Sequence, residues 1–295
     1  MQGLLLLDKP EGITSYGAVS AVKRAAGKKR VGHTGTLDPM ATGVLPVLIG
    51  RATALSGLMT DADKRYKAKI RLGITTSTDD ITGEVQRCRD VNIKSEELLT
   101  ALNRFTGKIM QVPPAYSALK KDGVRMYKLA REGKKTDMPA RQVEIFSIEL
   151  LSDLDGNNEF EINAHVSKGT YIRSLARDIG EFLGTGATLS GLRRTYASGF
   201  DISQCVTLEK IESSAVSDYV ISEENAVLHL RQINVTGRQA VRFCNGGQLG
   251  FERINAADIA ENELFRIKYG GKLIGIGFAD CERKQIGIKC ILNYV

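Results

Sequence analysis

The 295-residue chain predicts an α+β protein: a mixed, mainly antiparallel sheet flanked by helices, then a small C-terminal β-domain. Three observations carry this. Tyr66–Leu72, Val143–Leu151 and Glu159–Val166 alternate apolar and polar residues, the period of half-buried strands. Ile172, Leu175, Ala176, Ile179, Phe182 and Leu183 recur at helical spacing. After about Arg231 the pattern becomes short strands, two of them joined by Gly270-Gly271, a two-residue hairpin signature.

In chain order, Gly3–Leu7 reads as a short buried strand. Thr14 or Ser15 caps a helix that runs to about Ala26 and stops at Gly27. Arg30–Met40 is rich in Gly and Thr and reads as a loop. Val44–Ile49 is a strand and Ala52–Met59 a short helix. In the Tyr66–Leu72 strand, Tyr66, Ala68, Ile70 and Leu72 share one face, and Lys67, Lys69 and Arg71 the other. Ser95–Phe105 and Met126–Arg131 look helical. Val143–Leu151 and Glu159–Val166 read as antiparallel partners. Thr170 caps the helix over 172–183, and Gly184 ends it. Glu209–Glu224 is acidic and weakly patterned, as a connection near a domain edge would be. Phe265–Tyr269, Lys272–Phe278 and Gly287–Leu292 are the strands of the tail. The expected division is residues 1–232 and 233–295.

A hydrophobic content of 42% with 25% charged residues suits a packed globular chain and excludes bulk disorder. The run Leu4–Leu7 is too short for a signal-peptide core, and no stretch of about 18 apolar residues occurs, so no membrane span is expected. Five cysteines at wide spacing, with no CxxC pair, indicate neither a metal site nor a disulfide framework and suit a reducing, cytoplasmic setting.

The net charge is +7, compatible with a polyanionic partner. Its distribution says more. Residues 113–141 carry eight basic side chains (Lys120, Lys121, Arg125, Lys128, Arg131, Lys134, Lys135 and Arg141) against Asp122, Glu132 and Asp137, so five of the seven net charges lie there. With Tyr116 and Tyr127 and flanking prolines, the segment reads either as an RNA clamp or as a solvated insertion.

The segment Val31-Gly-His33-Thr-Gly-Thr-Leu-Asp38-Pro-Met-Ala-Thr-Gly-Val-Leu45 holds one carboxylate and one imidazole among small residues that permit close approach of a ligand. Asp38 could be a nucleophile or general base. It could equally cap the turn it makes with Pro39.

This segment resembles the catalytic motif of the TruB-type pseudouridine synthases, close to GHxGTLDPxAxGVL. The resemblance extends, in order, to Asp8-Lys9-Pro10-Glu11-Gly12-Ile13-Thr14-Ser15, then Lys64-Arg65-Tyr66 with Leu72-Gly73 and Thr76-Ser77-Thr78-Asp79-Asp80. It continues through Ser167-Lys168-Gly169-Thr170-Tyr171-Ile172-Arg173-Ser174-Leu175 to Leu192-Arg193-Arg194-Thr195 with Gly199. These ordered motifs cover about 190 residues. One departure is Val166, where the family often has Cys; the implied chemistry needs no thiol.

The resemblance implies isomerisation of uridine to pseudouridine at position 55 in the tRNA T-loop, by base flipping, with neither cofactor nor metal. It implies that Asp38 is the catalytic aspartate, that Arg173 pairs with it and lowers its pKa, and that Tyr66 stacks on the uracil with its hydroxyl as a base at C5. Leu192 would pack on the other face of the base, and His33 would fill the space it leaves. Lys9 and Asp80 would be structural supports or RNA contacts, and Lys120 and Lys121 would belong to a thumb-like insertion, residues 113–141, that binds substrate. The tail would be a PUA-like RNA-binding domain. The partner implied is the tRNA T-arm, with the enzyme a monomer needing no protein partner. Rival readings are a tRNA-binding or folding protein without catalysis and a guide-RNA-dependent pseudouridine synthase. An RNA methyltransferase is disfavoured, since no GxGxxG turn follows a strand.

Overall fold

The computed structural model describes residues 1–116, 120–121, 124–125, 138–254 and 258–295, with backbone only for 120–121 and 124–125. The expected helix at Met126–Arg131, like the side chains of Lys120 and Lys121, lies outside the described residues.

The larger part is a mixed sheet. Its strands are β1 (Gly3–Lys9), β2 (Val31–His33), β3 (Thr42–Ile49), β4 (Lys64–Leu72), β5 (Gly107–Gln111), β6 (Arg141–Ser152), β7 (Glu159–Val166), β8 (Ala187–Ala197) and β9 (Val206–Thr207). The order across the sheet is β9-β1-β3-β8-β4-β7-β6-β5, with β2 paired to β3. Only β1–β9 and β3–β8 are parallel along this path. Helices α1 (Ser15–Ala25), α2 (Ser56–Thr60), α3 (Ser95–Arg104) and α4 (Ile172–Phe182) flank the sheet.

The Leu4–Leu7 run is continuous because both faces of β1 are covered. Leu5 and Leu7 enter the main core with Ala18, Val22, Ile70, Leu175 and Ile179. Leu4 and Leu6 point the other way, against Leu273 and Ile276 of the C-terminal sheet and Leu292 just beyond it. Each leucine so buried contributes about 1.5–3 kcal/mol. The second sheet runs Arg231–Asn234, Leu264–Tyr269, Lys272–Asp280, Gln285–Ile291, Leu249–Gly250.

Three expectations need correction. Val31–His33 is a strand rather than loop, because β3 offers it an open edge: Val31, Gly32 and His33 pair with Ile49, Leu48 and Val47. The residue before α4 is Tyr171, not Thr170, and no side chain caps that helix. The tail also contains a helix, Gly237–Cys244. Its signal was present in Thr236 and Gln239, whose side chains form a reciprocal capping box.

Candidate active site

Asp38 sits in the connection between β2 and β3, and that connection is pinned at several points. Ser15, at the start of α1, both donates its hydroxyl to Leu37 O at 2.9 Å and accepts from Leu37 N–H at 2.8 Å. Ala41 N–H donates to Asp38 O at 3.1 Å, closing the turn at Pro39, and Gly12 N–H donates to Pro39 O at 2.9 Å. Leu37 and Ala41 are buried in the core on either side. Gly43, at φ +105°, faces the β8 backbone so closely that a Cβ would lie 2.2 Å from Arg194 O. Only glycine lets β3 and β8 meet there.

Arg173 reaches Asp38 from the first turn of α4. Its Nη2 donates to Oδ1 at 3.1 Å. Its Nε lies 2.9 Å from Oδ2, close enough for the charges to pair although its hydrogen is not aimed at an acceptor. Arg173 is 5% exposed and its other donors are also used: Nη1 to Thr78 O at 3.0 Å and Nη2 to Tyr116 O at 2.9 Å. Asp80 stands behind the guanidinium, its Oδ2 3.6 Å from Nη1. Asp80 Oδ1 in turn accepts from the Thr78 hydroxyl, the Thr82 hydroxyl and Thr82 N–H.

Arg173 lowers the Asp38 pKa, the direction expected of it, but the net shift is upward. Burial pushes the Asp38 carboxyl above its ordinary value, with Asp80 adding to the rise; Arg173 and Lys9 oppose it without winning. Arg173 therefore orients the carboxylate and limits the cost of ionising it, rather than making it an unusually strong acid.

Asp38 opens on a cavity of about 560 Å³. Tyr66 from β4 and Leu192 from β8 line it, with Tyr171 and Arg173 from the head of α4. The register explains the grouping, since Tyr66 pairs with Arg194 and Ala68 with Leu192 on adjacent strands. The structure thus brings together Asp38, Tyr66, Arg173 and Leu192. His33 is half-buried on β2 and outside the cavity lining; its Nδ1 accepts from Gly35 N–H at 3.3 Å, and burial together with Arg194 lowers its pKa.

Lys9 and Asp80 do not face the cavity. Lys9 is fully buried, and its ammonium donates to Pro10 O, Ile13 O and Pro39 O. Desolvation lowers its pKa to about 8. Both residues brace the site from behind its lining.

Two cations in the cavity wall had been passed over. Lys64 donates to Thr60 O and Ala62 O at the end of α2, and burial lowers it to about 8. Arg194 is 2% exposed, with Nε on Val44 O at 2.7 Å and Nη2 on Gly35 O at 3.2 Å. The signal was the strand period: Lys64 shares a face with Tyr66, and Arg194 with Leu192.

Comparison with known proteins identifies the family. Residues 23–172 match the model of the TruB family pseudouridylate synthase N-terminal domain, and residues 173–233 that of the tRNA pseudouridylate synthase B C-terminal domain. The chain is 39% identical to tRNA pseudouridine synthase B of Geotalea uraniireducens, over 95% of this chain and 92% of that one. It is 41% identical to the protein of the same name from Azoarcus sp., over 94% and 91%. Among solved structures it resembles a chain in a Cbf5-Nop10-Gar1 complex, with a TM-score of 0.74 and 27% identity over 99% of this chain and 84% of that one. With the family models and both relatives in agreement across nearly its whole length, the chain belongs to the TruB family of pseudouridylate synthases.

Proposed function

We propose that this chain isomerises uridine 55 in the T-loop of tRNA, after flipping the base into the cavity between Tyr66 and Leu192. The observation that carries this is the Asp38 carboxylate, paired with Arg173 at a cavity that Tyr66 and Leu192 also line. Flipping costs a few kcal/mol, about what stacking and phosphate contacts can offset. Ionised Asp38 then assists cleavage of the C1′–N1 bond, either by attack at C1′, to be displaced when C5 bonds there, or by removing a sugar proton that it returns as C5 bonds. The freed uracil turns, a C1′–C5 bond forms, the C5 proton leaves and N1 gains one. Tyr66 stacks on the base and its hydroxyl relays the C5 proton, accepting it as its own proton passes to solvent; Leu192 closes the other face. His33, its neutral form favoured by burial, occupies the space that the base vacates in the loop.

Residues 113–141, with five of the seven net charges, act as the clamp on the T-arm. Residues 233–295 act as a PUA-like RNA-binding domain following a catalytic domain of residues 1–232. What supports that division is the change of sheet near Arg231. The enzyme works as a cytoplasmic monomer; among the described residues no helix is long and apolar enough to cross a membrane. Stand-alone action on tRNA is favoured over guide-RNA dependence by the 39–41% identity to tRNA enzymes, against 27% to the Cbf5-Nop10-Gar1 chain.

The test is to incubate the purified protein with an unmodified tRNA transcript and map carbodiimide adducts by primer extension. A single stop at the T-loop uridine is expected. Modification elsewhere, or none without an added guide RNA, would sink the reading.

Two further outcomes follow. Tyr66→Phe keeps the stacking ring and should bind tRNA normally, but lose about 10²-fold or more in single-turnover rate, as removal of a positioned base does. An unchanged rate would remove the hydroxyl from the mechanism. Replacing Lys120, Lys121, Lys134 and Lys135 by Gln should weaken binding and flatten log K against log salt by about 3, since each lost phosphate contact removes somewhat under one unit. An unaltered slope would mean that the segment is not a clamp.

A further inference from the structure

Among the described residues, Gln111 is a fully buried polar side chain to which the chemistry above gives no role. Gln111, the last residue of the edge strand β5, is 0% exposed. It spends its whole carboxamide on one residue 60 positions away. Its Oε1 accepts from Tyr171 N–H at 2.9 Å, and its Nε2 donates to Tyr171 O at 3.1 Å. Tyr171 is the residue that leads into α4, and Arg173 lies two positions on.

The simplest role for Gln111 is to satisfy an orphan N–H at an uncapped helix start. A Glu or Gln at the third residue of the helix could do that from within α4. Gln111 does more. Tyr171 O already accepts from Leu175 N–H at 3.0 Å, so the second bond satisfies nothing that the helix lacked. The two bonds together fix the Tyr171 backbone as a neighbouring strand would.

Gln111 is also not alone. The next residue repeats the tie: Val112 O accepts from the Ser174 hydroxyl and from Arg177 Nη2, both at 2.9 Å. Tyr116 O accepts from Arg173 Nη2. On the far side of the basic segment, Arg141 pairs with Gln111 across the β5–β6 ladder. Arg141 lies 4.8 Å over the Tyr171 ring and donates to Gly169 O. Both stalks of the basic insertion thus grip the head of α4, one by the Tyr171 backbone and one by its ring. The same guanidinium that holds Asp38 holds a carbonyl of the insertion.

We infer that Gln111 is a positioning residue: by tying the root of the basic insertion to the head of α4, it holds Arg173 in line with Asp38. This rests on the function proposed above. Displacing catalytic groups by about 1 Å can cost about 10²-fold in rate, so a loosened tie acts on the chemical step rather than on binding.

The test uses the full chain, with wild type measured first. Gln111→Leu keeps the apolar stem and removes both bonds; Ser174→Ala removes one of the neighbouring ties. For each, three quantities are measured: single-turnover rate at saturating tRNA, tRNA Kd, and the pH dependence of the rate. Gln111→Leu is expected to lose about 10–100-fold in rate. Its Kd should stay at the wild-type value, and its acid limb should move to higher pH because Asp38 loses its aligned guanidinium. Ser174→Ala should move the rate and the acid limb in the same direction by less. It decides the question alone if Gln111→Leu does not fold. Wild-type rate and acid limb in a folded variant, or a loss confined to Kd, would overturn the inference. An inactive wild type would instead sink the function it rests on.

Discussion

Asp38→Asn should lower single-turnover rate by about 10⁴-fold, the upper end of what a positioned proton-transfer group contributes, and leave tRNA affinity nearly unchanged. Asn keeps the shape, so the loop should hold. Leu37 remains fixed by Ser15, and Gly12 N–H still donates to Pro39 O. What disappears is the negative charge, which either role of Asp38 requires. The buried cation is not stranded by the change, because Asp80 remains 3.6 Å from Arg173 Nη1. The measurement is a rate at saturating tRNA with a filter-binding Kd in parallel. A rate within tenfold of wild type would remove Asp38 from the chemistry. A matching loss in Kd would make it a binding residue.

Arg173→Met should be nearly as damaging, and for two separable reasons. The guanidinium is buried and opposes the mutual repulsion of Asp38 and Asp80. Removing one partner of a buried ion pair costs about 3–5 kcal/mol, which chemical denaturation would register. The second reason concerns pH. Burial already holds the Asp38 carboxyl above its ordinary value, so activity is lost as pH falls through that raised value. Arg173 works against the rise, and deleting it moves the acid limb higher still. Arg173→Lys restores the charge but not the planar guanidinium that holds Asp38 Oδ1, Thr78 O and Tyr116 O together. It should regain most of the stability and little of the rate. An acid limb unmoved in Arg173→Met would mean that Asp38 ionises independently of Arg173.

Much of this site was legible in the sequence, for identifiable reasons. The alternation of Tyr66–Leu72 gave a strand and the face carrying Tyr66, because a sheet with one covered face imposes period two. The spacing from Ile172 to Leu183 placed α4, and with it Arg173, because a helix packed on a sheet buries one stripe. Pairing of Arg173 with Asp38 came from family resemblance; nothing local in either segment specifies a partner 135 residues away.

What escaped was tertiary. Val31–His33 is a strand only because β3 presents it an edge. The Asp38 pKa moves upward because desolvation is a property of the assembled cavity, which no linear reading sums. Gln111 drew no reading from the sequence, because its partner Tyr171 is brought to it only by the fold. Lys64 and Arg194 are the reverse case. Both were readable as cations on apolar strand faces, and a buried cation on such a face is a signal worth following.

The measurement that tests the central claim most directly is tritium release from tRNA transcript whose uridines carry tritium at C5, with no cofactor added. Forming the C1′–C5 bond must expel that hydrogen, so release reports the isomerisation itself. The account predicts about one tritium released per T-loop uridine 55 by the wild-type chain and none by Asp38→Asn bound to the same tRNA. Release by both proteins alike, or by neither while tRNA stays bound, would contradict it.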